Sequence, residues 1–336
     1  MPYRDFHSRL HCSIALDRDG RHIGDLFLRH SDNRQPLGYY PVPIASIAGG
    51  EGPTVLLIGG VHGDEFEGPV ALMRLLHSLD PGAVNGRILF LPALNMPAVE
   101  ASARLSPLDD GNLNRAFPGN ADGGPTAMLA HFVEEGLIPH CDAVIDLHAG
   151  GKASVFAPSA LASRNQDAEL FAANLALAEA FGAPLIWVLG AFNDNRSVNA
   201  AAARKGVPMI AAELGGGGAC SPDMADLAES GIRRCLALLG VIGGAPPLSD
   251  APRRVEITGP GQNLYAASPG LFDRRFSAGD IVQAGQDAGV LHMIGEPSRP
   301  PVRLTFPASG VVLAHGNRGN VARGEMLAMV ARDAAV

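Results

Sequence analysis

Three separated stretches of the chain end an aliphatic run in residues able to bind a metal or move a proton. The first, LLIGGVHGDEFEG at 56–68, follows its aliphatics with two glycines and then His62, Asp64, Glu65 and Glu67. The second, AVIDLH at 143–148, closes on Asp146 and His148. The third, VPMIAA at 207–212, is followed by Glu213 and a run of glycines at 215–218. Two histidines and one carboxylate form the ligand set of a catalytic zinc, which keeps its fourth position for water. His62 and Glu65, three apart in a tight strand-to-helix turn, can point the same way, and the glycines at 59, 60 and 63 let the backbone turn sharply there. A third ligand would have to arrive from a distant strand. Asp146 stands two residues before His148, so in a strand both face one side. From there it can orient a ligand histidine by accepting a hydrogen bond.

Each signal has a plainer explanation. An isolated HxxE occurs often by chance, and His148 alone would suit the end of a core strand. Asp64 and Glu67 read as a helix-start charge and a solvated face, because acidic residues favour the first turn. The nine other histidines show no comparable placement. What outweighs the plain readings is convergence. In open α/β sheets the working site lies beyond the carboxyl ends of the strands, and three strands deliver histidines and carboxylates to that edge. The loop ALNMPAVEASARLSPLDDGNLNRAFPGN, residues 93–120, adds Arg104, Asn114 and Arg115 to the same edge. Arginine suits bidentate capture of a carboxylate and the steadying of a developing oxyanion.

These residues need a frame, and the pattern between them supplies one. TVLLI at 54–58, RILFLP at 87–92, AVIDLH, LIWVL at 185–189 and VPMIAA look like fully buried strands. Between them, 68–79 and 222–239 place leucines and isoleucine at helical spacing. Alternation of this kind implies an α/β fold: a mixed, mostly parallel sheet flanked by helices. The first ~50 residues read as a hairpin and edge strand leading in. GGAPPLSDAPRR at 243–254 is a Gly/Pro linker that marks a composition shift. The expected division is a catalytic domain over 1–245 and a smaller all-β domain over 250–336. Two β-like runs in that second part echo each other, as in barrel-sandwich modules of the biotinyl or lipoyl type. Lys152 and Lys205 are the only lysines, so the carrier lysine of such a module is missing.

Composition narrows the partners. The formal charge is −8, from 26 basic and 34 acidic residues, and residues 250 onward are nearly neutral with nine Arg against eight Asp and Glu. An acidic body disfavours nucleic acid and anionic membranes and admits a small substrate bearing a positive charge. Four cysteines without a CxxC pair, and a polar opening decapeptide, point to reduced thiols and a cytoplasmic location. The longest apolar stretch, 170–192, is broken by Gly182-Ala183-Pro184 and reads as helix, turn and strand rather than a membrane span. A homodimer is a fair expectation from the frequency of two-fold assemblies.

HGDE at 62–65, Arg104 with NRAFPG at 114–119, DLH at 146–148 and Glu213 occur in an order that resembles the succinylglutamate desuccinylase/aspartoacylase family. These are relatives of the carboxypeptidase A-like zinc peptidases. The resemblance covers about residues 40–245, and the β module after the linker fits the same layout. Within the family, GGVHGDEFEGP, LNRAFPG, DLHAGGK and AELGGGG look most like the branch that deacetylates N-alpha-acetyl-L-2,4-diaminobutyrate in ectoine breakdown. The resemblance implies one zinc ion per chain held by His62, Glu65 and His148. It implies Glu213 as general base, Arg104 polarising the scissile carbonyl, and Asn114 with Arg115 gripping the substrate's α-carboxylate. The glycines behind Glu213 would then let the substrate come close. A substrate ammonium would call for an acidic partner, with Asp109, Asp110 and Asp194 as candidates. An acylated acidic amino acid, the aspartoacylase-like alternative, would call for another cation such as Arg196. Peptidase activity and a non-catalytic binding protein on the same fold are the remaining rivals.

Overall fold

The computed structural model describes residues 6–31, 33, 36–190, 193–248 and 250–335. Ala191 and Phe192, at the end of the long apolar stretch, and Ser249 in the linker lie outside them. All five aliphatic runs form strands: Thr54–Gly59, Gly86–Leu91, Ala143–His148, Leu185–Leu189 and Met209–Glu213. The last of these starts and ends later than the sequence pattern suggests, so Glu213 closes the strand instead of following it. Thr54–Gly59 runs parallel to both Gly86–Leu91 and Ala143–His148, and Met209–Glu213 lies parallel on the far side of Ala143–His148.

Period-two alternation divides these strands between two cores. Val55, Leu57, Ile145, Leu147, Ile210 and Ala212 face one; Leu56, Ile58, Val144, Met209 and Ala211 face the other. Burial on both faces is why each strand reads as an unbroken apolar run. Helices Glu67–Ser78, Ala168–Phe181 and Pro222–Leu238 cover the first core with Leu72, Leu75, Phe181, Ile232 and Leu236. Pro125–His131 and Val198–Arg204 cover the second with Leu129, Val198 and Ala201. The stretch from 170 resolves as expected into a helix that stops at Gly182 and the strand Leu185–Leu189. Among the described residues no helix is long and apolar enough to cross a membrane.

The sheet is mixed. The hairpin Gly20–Arg29 with Tyr39–Gly49 joins it antiparallel at Gly86–Leu91. Ser159–Ser163, a strand the sequence pattern does not suggest, sits antiparallel to Met209–Glu213 and parallel to Leu185–Leu189. Beyond the linker, Arg253–Glu256 pairs parallel with Leu185–Leu189 and antiparallel with Met326–Asp333. Hydrogen bonding therefore continues from the main sheet into the C-terminal strands. Leu185 and Ala157 close that seam with Val255, Val311, Leu313 and Ala331. A separate antiparallel sheet of Gly270–Arg274, Asp287–His292, Val302–Thr305 and Asn320–Val321 follows, with a core including Phe276, Leu291, Phe306 and Val330. Gly310–Gly316 also pairs with Ser154–Phe156, the short strand just after DLH.

Candidate functional site

The turn after Thr54–Gly59 is pressed onto the segment that follows Gly86–Leu91. A Cβ at Gly63 would fall 1.9 Å from the Ala98 carbonyl, so no larger residue fits, and the Gly63 N–H donates to the Ala103 carbonyl at 2.9 Å. This pressure buries His62 and Glu65 almost completely. His148 is the last residue of its strand, and parallel pairing sets Glu213 directly beside it. Strand alternation puts Asp146, His148 and Glu213 on one face of the sheet.

Here the separated motifs meet. Glu65 Oε1 lies 2.8 Å from His62 Nδ1, and Glu65 Oε2 lies 3.0 Å from His148 Nδ1. The two imidazole centroids are 5.2 Å apart. One ligand atom from each of His62, Glu65 and His148 can be chosen so that all lie within 4.8 Å of one another. Asp146 Oδ2 is 2.8 Å from His148 Nε2, the arrangement expected for a carboxylate that orients the ring. Arg104 Nη1 reaches within 3.3 Å of both His62 Nδ1 and Glu65 Oε1, with its side chain half-exposed. Glu213 is partly exposed, yet its Oε2 atom is shut off from solvent and has no hydrogen-bond partner.

The electrostatics suit a cation. Burial works against ionising Glu65, but the charge of His62 and the hydrogen bonds of both histidines hold it well below the usual carboxylate range. Burial likewise opposes protonating His148, yet Asp146 and then Glu65 raise it well above an ordinary histidine. A buried carboxylate demands compensating positive charge, and the raised His148 imidazole supplies it when protonated. A divalent cation replaces such protons, because imidazole ligates in its neutral form and carboxylate in its ionised form. The donor set thus fits a zinc-like ion. Burial pushes Glu213 up to about 8, against the pull of His148 and with a push from Glu65. A bound cation would draw it down again.

Around the trio the loops are tightly tied. Asn114 faces His148 Nε2 with its amide at 3.5 Å, and its Oδ1 accepts from the Val198 N–H at 3.0 Å. Arg115 pairs with Asp194 at 3.1 Å, and Arg196 grips the same carboxylate with two bonds of 2.9 Å. Asp109 is taken up by the N–H and hydroxyl of Thr126. Asn112, which the sequence reading passed over, puts Oδ1 3.2 Å from His62 Nε2. Its only signal was its place two residues before Asn114. Asp64 and Glu67 serve the turn and the helix start as expected, but neither is solvated. Asp64 accepts from the Lys152 N–H, and Glu67 from the Ser221 N–H. The glycine run is packed against protein: Gly217 donates to the Gly151 carbonyl at 2.7 Å, and a Cβ at Gly216 would meet the Ser154 carbonyl at 2.4 Å.

Known proteins resemble the chain along most of its length. Residues 51–239 match the family model of the succinylglutamate desuccinylase/aspartoacylase catalytic domain. Over 326 residues the chain is 34% identical to the N-alpha-acetyl-L-2,4-diaminobutyric acid deacetylase of Halomonas elongata, spanning 96% of this chain and 95% of that protein. The crystal structure of the succinylglutamate desuccinylase/aspartoacylase from Rhodobacter sphaeroides is similar at 36% identity and a TM-score of 0.93, covering 98% of this chain and 100% of that one. The product-bound structure of the ectoine utilization protein EutE (DoeB) from Ruegeria pomeroyi is similar at 34% identity and a TM-score of 0.93, with 97% and 99% covered.

Proposed function

Because the chain belongs to the succinylglutamate desuccinylase/aspartoacylase family and is a hydrolase of acylated amino acids, we propose that it deacetylates N-alpha-acetyl-L-2,4-diaminobutyrate with the help of zinc. The products are diaminobutyrate and acetate, and the setting is ectoine breakdown in the cytoplasm. The observation that carries this reading is the buried cluster of His62, Glu65 and His148 with Glu213 in register beside it. Identity to the Halomonas deacetylase along nearly the whole chain supports the choice of substrate.

His62, Glu65 and His148 would hold the ion. When bound, zinc supplies Lewis-acid polarisation of the amide carbonyl and of the attacking water. Glu213 takes a proton from that water and delivers it to the leaving nitrogen, so hydroxyl ends on the acyl carbon and hydrogen on the amine. Its Oε2 has no hydrogen-bond partner inside the protein. Arg104, half-exposed beside Glu65, presents its guanidinium to the charge that develops on the carbonyl oxygen. Asn114 and Arg115 take the substrate's α-carboxylate, with Arg115 exchanging Asp194 for it. Asp146 keeps the His148 ring oriented.

A metal-replete screen of N-acetyl amino acids, N-succinyl amino acids and dipeptides, scored for released amine, tests the substrate. N-alpha-acetyl-diaminobutyrate is expected to give the highest kcat/KM. Preference for acetylaspartate or succinylglutamate would move the protein to the other branch of its family, and preference for dipeptides would make it a peptidase.

A further inference from the structure

We propose that Asp64 is a positioning residue that keeps the two ligand-bearing loops in register and so governs how tightly the metal is retained. The inference rests on the metal reading above. Asp64 stands between two of the three candidate ligands in sequence but is not among the residues whose ligand atoms converge. Its carboxylate turns the other way and accepts the Lys152 N–H through Oδ2 at 2.8 Å. The next residue, Glu65, accepts the Ala149 N–H through Oε2 at 3.1 Å. Two consecutive carboxylates of the first loop therefore grip the first and fourth residues after His148.

That grip falls just past the sheet, where the glycine run adds two backbone bonds of its own: the Gly150 N–H donates to the Gly215 carbonyl at 3.0 Å, and the Gly151 carbonyl accepts from Gly217 at 2.7 Å. Up to His148 the strand is fixed by neighbours on both sides, but from Ala149 the backbone leaves the sheet. The turn is shaped around Asp64: Gly151 has φ +54°, and a Cβ there would come within 2.5 Å of Asp64 Oδ2. Lys152 is also a junction. Its Nζ donates to the Ser102 carbonyl at 2.6 Å, two residues before Arg104, and its own carbonyl accepts from Asn317 at 3.2 Å. Truncating Asp64 leaves the Lys152 N–H without its acceptor in a crowded turn, and a stranded backbone donor drives local rearrangement. The displaced segment is the one Glu65 also holds, so the ligand geometry loosens with it.

Zinc release to a chromophoric chelator tests this, with circular dichroism confirming that each variant is folded. Asp64→Ala is expected to lower zinc affinity by about 10–100-fold, the effect typical of groups that orient metal ligands. Asp64→Asn keeps a carbonyl acceptor and is expected to retain zinc close to wild type. Gly151→Ala forces the same turn away from Asp64 and is expected to reproduce the Ala phenotype. Lys152→Ala keeps the backbone N–H that Asp64 holds and removes only the Nζ bond to Ser102, so it is expected to lower zinc affinity less than Asp64→Ala does. Wild-type release from Asp64→Ala would overturn the proposal, and so would Asp64→Asn behaving like Asp64→Ala, which would assign the effect to charge. A wild-type protein that takes up no zinc would overturn the metal reading itself.

Discussion

Glu213→Gln retains shape and removes the base, so at the level of single residues it separates chemistry from assembly. We expect kcat to fall by about 10²–10⁴-fold while zinc content by elemental analysis stays at the wild-type level. Loss of metal together with activity would instead make Glu213 part of the ion's support. Arg104→Ala should lower kcat by about 10²–10³-fold, the range for removing one donor to a developing oxyanion, with zinc content again unchanged. His62 and Glu65 stood out in the sequence because residue types and spacing both restrict what a metal accepts, whereas His148 was joined to them by the resemblance to the family; their ligand atoms do converge. Asp64 and Glu67 were only partly legible. Acidic residues at a helix start usually face water, and nothing local announces that Lys152 and Ser221 will arrive from elsewhere to bury them. Asn112 was missed for the same reason: its contact with His62 spans 50 positions of sequence.

Elements, rather than residues, set the distance between the first and second motifs. The helix Glu67–Ser78 lies so close to the strand ending at His148 that a Cβ at Gly68 would come 2.6 Å from Leu147 Cβ and 3.0 Å from its carbonyl oxygen. Gly68→Ala must therefore push helix and strand apart. A loss of about 1–3 kcal/mol, the usual penalty of overpacking, is expected in denaturant unfolding; an unchanged midpoint would show that the helix can slide without strain. The helix and strand themselves were readable from period and apolar runs. Ser159–Ser163 was not, because SALAS contains a single large apolar residue and offers neither an aliphatic run nor clear alternation. Its small side chains suit a strand that the helix Ala168–Phe181 covers closely. The stop at Gly182 was legible because a glycine ahead of a proline ends helices for a local reason.

For the molecule as a whole, the linker at 243–254 announces a change of composition but not the pairing that crosses it. We propose residues 1–245 as the catalytic unit and 250–336 as a β domain, yet the two share one sheet edge through Arg253–Glu256. A chain truncated at 245 would uncover Leu185 and Ala157 and leave Leu185–Leu189 without its outer neighbour. It is expected to aggregate or melt well below the full chain, whereas a full-length Tm would make the β domain a detachable addition. Net charge acts at the same scale. The formal charge is −8, and the first 249 residues carry all of the excess acid. N-alpha-acetyl-diaminobutyrate is a zwitterion, with one carboxylate and one ammonium, so the long-range field neither draws it in nor repels it. Acetylaspartate carries two carboxylates and meets that field unfavourably. Raising salt from about 0.01 M to about 1 M shortens the screening length from about 30 Å to about 3 Å. Over that range kcat/KM for acetylaspartate should rise while that for the zwitterion stays nearly flat. If salt instead suppressed acetylaspartate turnover, a local cationic pocket would be outweighing the acidic body, and the specificity assigned here would have to shift toward acidic substrates.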